Sequence, residues 1–584
     1  MKLIYVHLSK SQDPPDYLYT SIYQTCLISK IHIVILTNER HVQKINKRLC
    51  LIDKLHDNEI SVVSIEHVED KNFLTDLFRD EFWRYTTERF FTIEKWLKSF
   101  GITESFIHIE NDVLLYSDPL ALSFTKGMYI IKDTPTRGIG SVIFSTVSDW
   151  HAFIKYAEGC TPPKNDMEIL GGYKDAFLLP CDPNNASRLV FDGAAFGQYI
   201  AGVDSRNIKS NTELTLYANP TVGFVNETSV VKACDYKIIR KLVNYKGKQI
   251  FKYYIKSKER VIDFFNLHIH SKNLAPCTSN FDIQYKDIIT GDRILENCDI
   301  VFCTYPVYMY HKGINEFNSN VVVINDFKHI NRKNLYRYIT NIKKYIIKIH
   351  VYTHLLEDFT RYILPLIQLF NNKFVFYIHN SDHSFNGTYT SLLHSESVIR
   401  VYAQNISVYH EKLSLLPIGI ANSMFKHGDT LSLYKTMSST FINKKESNIF
   451  MSALQPTHRV RTLIDITSTN FKLSPKMNYK DYLVELSRHY FCFCPRGNGI
   501  DTHRFWEALY LGVIPVIVNT PESDMSIFVE YLKDLGLPFY QVTDLDFFKK
   551  NTNEFFSKDL YDSITGNKFI QCNQNLKLTN YLAT

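Results

Sequence analysis

Short apolar runs alternate with amphipathic stretches of helical length along most of the chain, the pattern that open α/β layers leave in a sequence. Lys2–Leu8 and His32–Thr37 are β-rich, with the helical-length segment Asp16–Ser29 between them, and Ile60–Ile65 is a further strand candidate. Glu81–Ser99 carries Phe82, Trp83, Phe90, Phe91, Ile93 and Trp96 at helical period, and Gly101 is placed to close that helix. The apolar strand Ser105–Ile109 then runs directly into Glu110, Asn111 and Asp112. Beyond it the pattern loosens, and Gly138, Gly140, Pro162, Pro163, Gly171 and Gly172 mark long loops. This irregular stretch leads through Phe191–Asp204 (FDGAAFGQYIAGVD) to Asn266–Lys272 (NLHIHSK).

Asn273–Asn280 contains Pro276 and has no periodicity, so a module boundary is expected there. The strand–helix rhythm then restarts, with strands expected at Asp299–Thr304, Val321–Asn325, Ile347–Tyr352, Lys373–His379, Val398–Tyr402 and Leu413–Ile418. A second run comprises Asn448–Leu454, Tyr490–Cys494 and Val513–Val518. The pattern predicts one α/β module over 1–275 and a second over 281–584. The second is itself split into halves of about 281–425 and 426–584, hinged near Ser423–Asp429.

Composition narrows the class. A chain of 584 residues has room for two or three domains, and 45% hydrophobic with 22% charged residues is the balance of a soluble globular protein. The 66 basic and 60 acidic side chains are interspersed, so the net charge of +6 makes no basic patch. The longest basic stretch, Asn331–Lys348, is broken by Tyr and Ile and reads as a solvated helix face; no nucleic-acid partner is expected. The eleven cysteines form no CxxC pair, which favours buried thiols in a reducing compartment. The apolar run in MKLIYVHLSK is too short for a signal peptide, and no stretch reaches the roughly 20 apolar residues of a membrane helix. A cytoplasmic location is expected. Abundant Lys, Ile, Asn and Tyr match the usage of an AT-rich genome, such as that of a microbe or a large DNA virus, and for a virus the location becomes the host cytoplasm.

Chemistry concentrates at two places. In the first module Glu110 and Asp112 leave a strand two residues apart, where two hard oxygen ligands can hold Mg²⁺ or Mn²⁺; a turn rich in Asn and Asp accounts for the same residues. His268 and His270 alternate along a short predicted strand with Lys272 in register, so imidazoles and an ammonium would share one face. Asp192 precedes the small residues Gly193, Ala194 and Ala195, as a general base towards an acceptor hydroxyl or as the cap of a helix over Gly193–Ile200. Asp166 is a weaker candidate for the same work.

These motifs resemble those of GT-A glycosyltransferases. FIHIENDVLLYSDP looks like their acid-x-acid metal motif, Arg89 lies where such enzymes contact the nucleotide, and NLHIHSK resembles the His-plus-Lys element that completes the metal shell and holds the diphosphate. The resemblance implies metal ligands among Glu110, Asp112, His268 and His270, with Arg89, Glu110 and Lys272 on the nucleotide sugar. Glu110 departs from the pattern, which usually has Asp, and makes Asp112 the safer direct ligand.

In the second module, Phe491–Ile517 (FCFCPRGNGIDTHRFWEALYLGVIPVI) reads as a strand, a glycine-rich turn, a helix from about Asp501 to Leu511, and a strand after Gly512. Turn N–H groups and a helix N-terminus facing one space make an anion site, which Arg496 and Arg504 can reinforce. Glu507 lies one turn from Arg504, where it can meet a ribose hydroxyl. This segment resembles the nucleotide-sugar-binding half of exostosin-like GT-B glycosyltransferases. The resemblance places Arg496, Gly497, Asn498, Asp501, His503, Arg504 and Glu507 on the donor and implies no metal. VYAQN (Val401–Asn405) and LPIGIANSMFKHGD (Leu416–Asp429) resemble the stretch entering the interdomain cleft. At the end of Lys373–His379, His379 and Asp382 are candidates for a general base, with a polar turn as the alternative.

The whole implies a GT-A-like mixed sheet followed by a GT-B-like pair of facing Rossmann-like halves. It implies a bifunctional enzyme moving sugars from UDP- or GDP-sugars to hydroxyls of a glycan or glycoprotein. Alternatives are a single catalytic module beside a binding platform, and a metal-dependent nucleotide-sugar phosphodiesterase.

Overall fold

A computed structural model describes the chain except residues 54, 56–57, 69–81, 125, 204–230, 257–259, 305–319, 324–326, 328–329, 331, 453, 464–470, 472, 567–569 and 584. The chain is mixed α/β and divides into two compact units. The first is Met1–Asp282 with Ile442–Lys444; the second is Ile283–Phe441 with Lys445–Thr584. Among the described residues no helix is long and apolar enough to cross a membrane.

The first unit holds β1 (Lys2–His7), α1 (Asp16–Ile28), β2 (His32–Thr37), α2 (Glu39–Cys50), β3 (Ile60–Ser64), α3 (Phe82–Ser99), β4 (Phe106–Ile109), β5 (Val113–Leu115), β6 (Met128–Thr134), β7 (Arg137–Ser145), α4 (Val147–Glu158), α5 (Asp166–Gly172), β8 (Phe177–Leu178), β9 (Leu189–Phe191), α6 (Ala195–Ala201), β10 (Lys237–Tyr245), β11 (Lys248–Lys256) and β12 (Val261–His268). Its main sheet has the order β3-β2-β1-β4-β7-β6-β8. The first four strands are parallel, and β7 turns the sheet antiparallel by pairing Ile107 with Phe144. Helices α3 and α4 bury aromatic faces against it: Phe90, Phe106, Trp150 and Phe153 pack edge to face or tilted, at 5.2–5.9 Å between centroids.

A second sheet, β10-β11-β12-β5 with β9 beside β12, accounts for much of the stretch that the pattern left as loops. The β6–β7 and β10–β11 hairpins escape notice because their turns, Pro135–Thr136 and Lys246–Gly247, interrupt strands without clean alternation: β10 has no buried residue. Strand β12 also ends sooner than expected. It stops at His268, and Lys272 lies beyond it with φ of 64°, so His270 and Lys272 leave the strand register predicted for NLHIHSK.

The second unit contains β13 (Ile300–Cys303), β14 (Asn320–Val323), β15 (Ile346–Tyr352), β16 (Lys373–His379), β17 (Val398–Ala403), β18 (Leu413–Leu415), β19 (Ser447–Phe450), β20 (His489–Phe493), β21 (Ile514–Val518) and β22 (Tyr540–Val542). They form two all-parallel sheets, β14-β13-β15-β16-β17-β18 and β19-β20-β21-β22. Parallel strands are covered on both faces and read as continuous apolar runs. β21 (IPVIV) is buried at every position, and most of these strands fall within a residue or two of the expected ones; β18 and β19 end three and four residues sooner than expected, and the short edge strand β22 was not expected. The expected strand Val321–Asn325 begins one residue earlier, and its last two residues lie outside the described set.

Candidate functional site

The turn between β4 and β5 carries the first cluster. β4 belongs to the main sheet and β5 to the second, where Val113 pairs with His268 at the end of β12. The two strands fix Glu110–Asp112 from both sides. Glu110 N–H donates to the Ser141 carbonyl (3.2 Å), Asn111 Nδ2 donates to the Val6 carbonyl (3.1 Å), and the Asp112 carbonyl accepts from Ile269 N–H (2.9 Å). The same pairing brings His268 opposite, so that ligand atoms of Glu110, Asp112 and His268 lie within 4.8 Å of one another. His268 Nε2 is 3.2 Å from Asp112 Oδ2 and 3.4 Å from Glu110 Oε2.

The charges around this cluster are balanced but dense. Arg89, reaching from α3, donates to Glu110 (2.5 Å) and to Asp166 (2.7 Å). Lys272 Nζ donates to Asp112. Burial alone pushes both carboxyls up. Arg89 and His268 nevertheless hold Glu110 below its ordinary range, and Lys272 and His268 hold Asp112 well below it. Burial opposes a charged His268, yet Asp112 and Glu110 carry it up to about 10. Burial pushes Asp166 up to about 6 despite Arg89.

A divalent cation fits this donor set. His268 Nδ1 faces the Gly193 carbonyl at 2.5 Å, and a carbonyl only accepts, so Nδ1 carries a proton and Nε2 is the atom turned to the carboxylates. Two carboxylates and one imidazole draw positive charge into the gap between them, a demand that a proton on Nε2 or a hard cation can meet. His270 lines the same cavity, with its ring 5.5 Å from that of His268.

Asp192 stands behind His268 and is 1% exposed. Its oxygens accept from Phe196 N–H (3.0 Å), Gly197 N–H (2.8 Å) and His268 N–H (3.0 Å), so it caps α6 and ties that helix to the end of β12. Burial raises its pKa while these N–H groups oppose the rise. A cavity of about 260 Å³ opens over the cluster, lined in part by His7, Ser9, Tyr17, Trp83 and Tyr85 beside the acids and cations already named. None of these five carries a motif; they come together beyond the C-terminal end of β1, an interior strand of the main sheet, where residues of α1 and the start of α3 line the same cavity.

The second cluster surrounds the turn after β20 and the helix His503–Tyr510. Asp501 Oδ1 accepts from Thr502 N–H (2.8 Å) and Trp506 Nε1 (2.7 Å), and its Oδ2 from Ile418 N–H (2.8 Å). Burial pushes its carboxyl up to about 7 against those donors. His503 Nδ1 donates to the Gly419 carbonyl (2.8 Å), and Asp501 N–H to Asn405 Oδ1 (2.8 Å). Glu507 is buried and accepts from the Tyr479 (3.1 Å) and Tyr482 (2.8 Å) hydroxyls; burial raises its pKa. Arg504 lies 5.9 Å over the Tyr482 ring.

Of the general-base candidates, His379 is 1% exposed. Its Nε2 is 3.0 Å from the Pro417 carbonyl and its Nδ1 3.2 Å from Asn380 Oδ1, with burial pushing it down to about 4. Asp382 accepts from exposed Asn498 at 3.3 Å. Sequence reasoning missed Arg461, which borders the turn from the helix Arg459–Leu463, and the two tyrosines on Glu507. Basic HRVR beyond β19 was the available signal for the first.

No protein-family model matches the chain, and no curated protein does. Among solved structures it is similar to an active-site mutant of LgtC, at 11% identity over 40% of this chain and 85% of that one, with a TM-score of 0.27. It is also similar to the glycosyltransferase GlyE of Streptococcus pneumoniae TIGR4, at 8% identity over 97% and 99%, TM-score 0.24. A third likeness is to a glycosyltransferase involved in glycosylation of the major capsid of PBCV-1, at 10% identity over 32% and 86%, TM-score 0.19. Likenesses this distant leave the functional reading to rest on the chain's own residues.

Proposed function

We propose that the chain is a bifunctional glycosyltransferase, with a metal-dependent GT-A-like module over about 1–275 and a GT-B-like module over about 281–584. The observation that carries the reading is the convergence of Glu110, Asp112 and His268 within 4.8 Å, beneath a cavity that Arg89 and Lys272 also line. Carboxylates alone would repel a sugar nucleotide; this arrangement puts cations on both sides of them. Asp112, Glu110 and His268 would hold Mn²⁺ or Mg²⁺, which when bound neutralises diphosphate charge as the leaving group departs. Lys272 is placed to move from Asp112 to a phosphate oxygen, and Arg89 keeps Glu110 and Asp166 oriented. Asp192 serves as the group that holds His268 in place through its N–H.

In the second module the Pro495–Gly499 turn and the helix start receive the donor diphosphate, with Arg496 and Arg504 as cations, and no metal is required. The expected donors are UDP- or GDP-sugars and the acceptors hydroxyls of a glycan or glycoprotein. Purified protein screened against such donors, with and without Mn²⁺ and with a saccharide acceptor, should yield a glycosylated product and nucleoside diphosphate. Hydrolysis of the donor with no dependence on acceptor would instead establish a phosphodiesterase.

A further inference from the structure

Three arginines border one turn of the second unit: Arg496 lies in it, Arg461 donates to its carbonyls, and Arg504, in the helix that follows, acts on Arg461 by its charge. None of the three forms an ion pair with a described acidic group, although Arg496 Nε and Arg504 Nη1 are buried atoms without a described hydrogen-bond partner. Arg461 is the least expected of them. Its Nε donates to the Arg496 carbonyl (2.8 Å), its Nη2 to the Pro495 carbonyl (3.2 Å) and its Nη1 to the Gln455 carbonyl (3.3 Å). Burial and the charge of Arg504 both push its pKa down, while the carboxylates nearby bear on its neighbours, Asp524 on Arg496 and Glu507 on Arg504. The packing admits it because residue 497 is glycine: a Cβ there would lie 2.9 Å from Arg461 Nη2.

Each of these facts has a cost by itself. Clustered cations repel, and buried N–H groups without acceptors lose their hydration. An anion of two or more charges in the turn would relieve both costs at once. The carbonyl oxygens of Pro495 and Arg496 carry partial negative charge that would repel such an anion, and Arg461 covers both.

We propose that Arg461 completes a three-arginine site for a diphosphate, holding the Pro495–Gly497 turn and screening its carbonyl oxygens from the anion while Arg496 and Arg504 contact it. The assignment deepens the reading of the second module as a donor-binding one and rests on it for the nature of the donor, but the anion site itself can be tested apart from any transfer. Arg461 is thus a positioning residue. A planar fork reaches two adjacent carbonyls and a third; a lysine ammonium is a single point and cannot span them.

The test is calorimetric titration of the full-length protein with inorganic pyrophosphate and, separately, with UDP, in excess chelator and in an Asp112→Ala, Lys272→Met background that disables the first cluster. Arg461→Met and Arg504→Met should each weaken pyrophosphate binding by about tenfold or more, the scale of a lost charge-assisted contact. Arg461→Lys should fail to restore it, and Gly497→Ala should weaken it in the same way by displacing the guanidinium. Circular dichroism and thermal unfolding identify any variant that fails to fold, and Gly497→Ala carries the test if Arg461→Met is one. Parental affinity in Arg461→Met, or full rescue by lysine, overturns the proposal. Pyrophosphate binding that depends on Arg461 and Arg504, in a protein that transfers no sugar from any donor, would uphold this site and refute the second module's transferase role.

Discussion

Asp112 has the strongest claim among single residues, because among the described residues it alone pairs with both His268 and Lys272 while lying next to Glu110. Replacing it by Asn removes one anionic ligand, takes from Lys272 its ion-pair partner and leaves His268 facing Glu110 alone. Mn²⁺ affinity, measured by titration calorimetry, should fall by more than about 100-fold, the upper end of what losing merely an outer partner of a ligand costs. Asp501 makes a different prediction. Its folded pKa of about 7 lies above the ordinary carboxyl value near 4, so between those values the folded state binds more protons than the unfolded one. Its stabilising contribution is therefore complete below about pH 4 and is lost as the pH rises through about 7. Chemical denaturation of parent and Asp501→Asn across that range should show the parent's stability relative to the variant falling with pH; a flat difference would refute the shift.

Elements act by bringing backbones close. Helix α6 approaches β12 so nearly that a Cβ on Gly197 would collide with the His268 carbonyl. Gly197→Ala should cost about 1–3 kcal/mol in denaturant unfolding, the scale of an overpacked core. It should also lower Mn²⁺ affinity, because the same shift loosens Asp192 from His268 N–H. At the end of the helix His503–Tyr510, Gly512 has φ of 68°, and a side chain there would also press on Gln571. Gly512→Ala should destabilise by about 1–2 kcal/mol or more, the cost of a left-handed conformation for a residue with a Cβ.

At the scale of the whole molecule, two clusters with different chemistry lie in different units: one built on carboxylates and histidine, the other on arginines and a buried turn. If each serves its own transfer, Asp112→Ala should abolish one product and Arg504→Ala another, as resolved by mass spectrometry of acceptor glycans. One substitution silencing every product while the other changes nothing would reduce the second unit to a binding platform or the first to a scaffold.

Continuous apolar runs made the parallel strands legible in both units, since a strand covered on both faces needs apolar residues at every position. Local spacing likewise marked Glu110 and Asp112 at a strand end, and Arg496, Gly497 and Arg504 around a turn. The half-exposed hairpin β10–β11 left no comparable trace, because solvent accepts almost any side chain on an open face, while the buried β7 was masked by Gly138 and Gly140, which read as loop residues. Partners far apart in the chain were beyond reach of the pattern. His268 meets Asp112 across 156 residues, Arg89 meets Asp166 across 77, and Arg461 meets the Arg496 carbonyl across 35. The residue types of the site were thus set by sequence. Which of them converge, and which way the His268 ring turns, depended on strand pairings and helix contacts that only the folded chain creates.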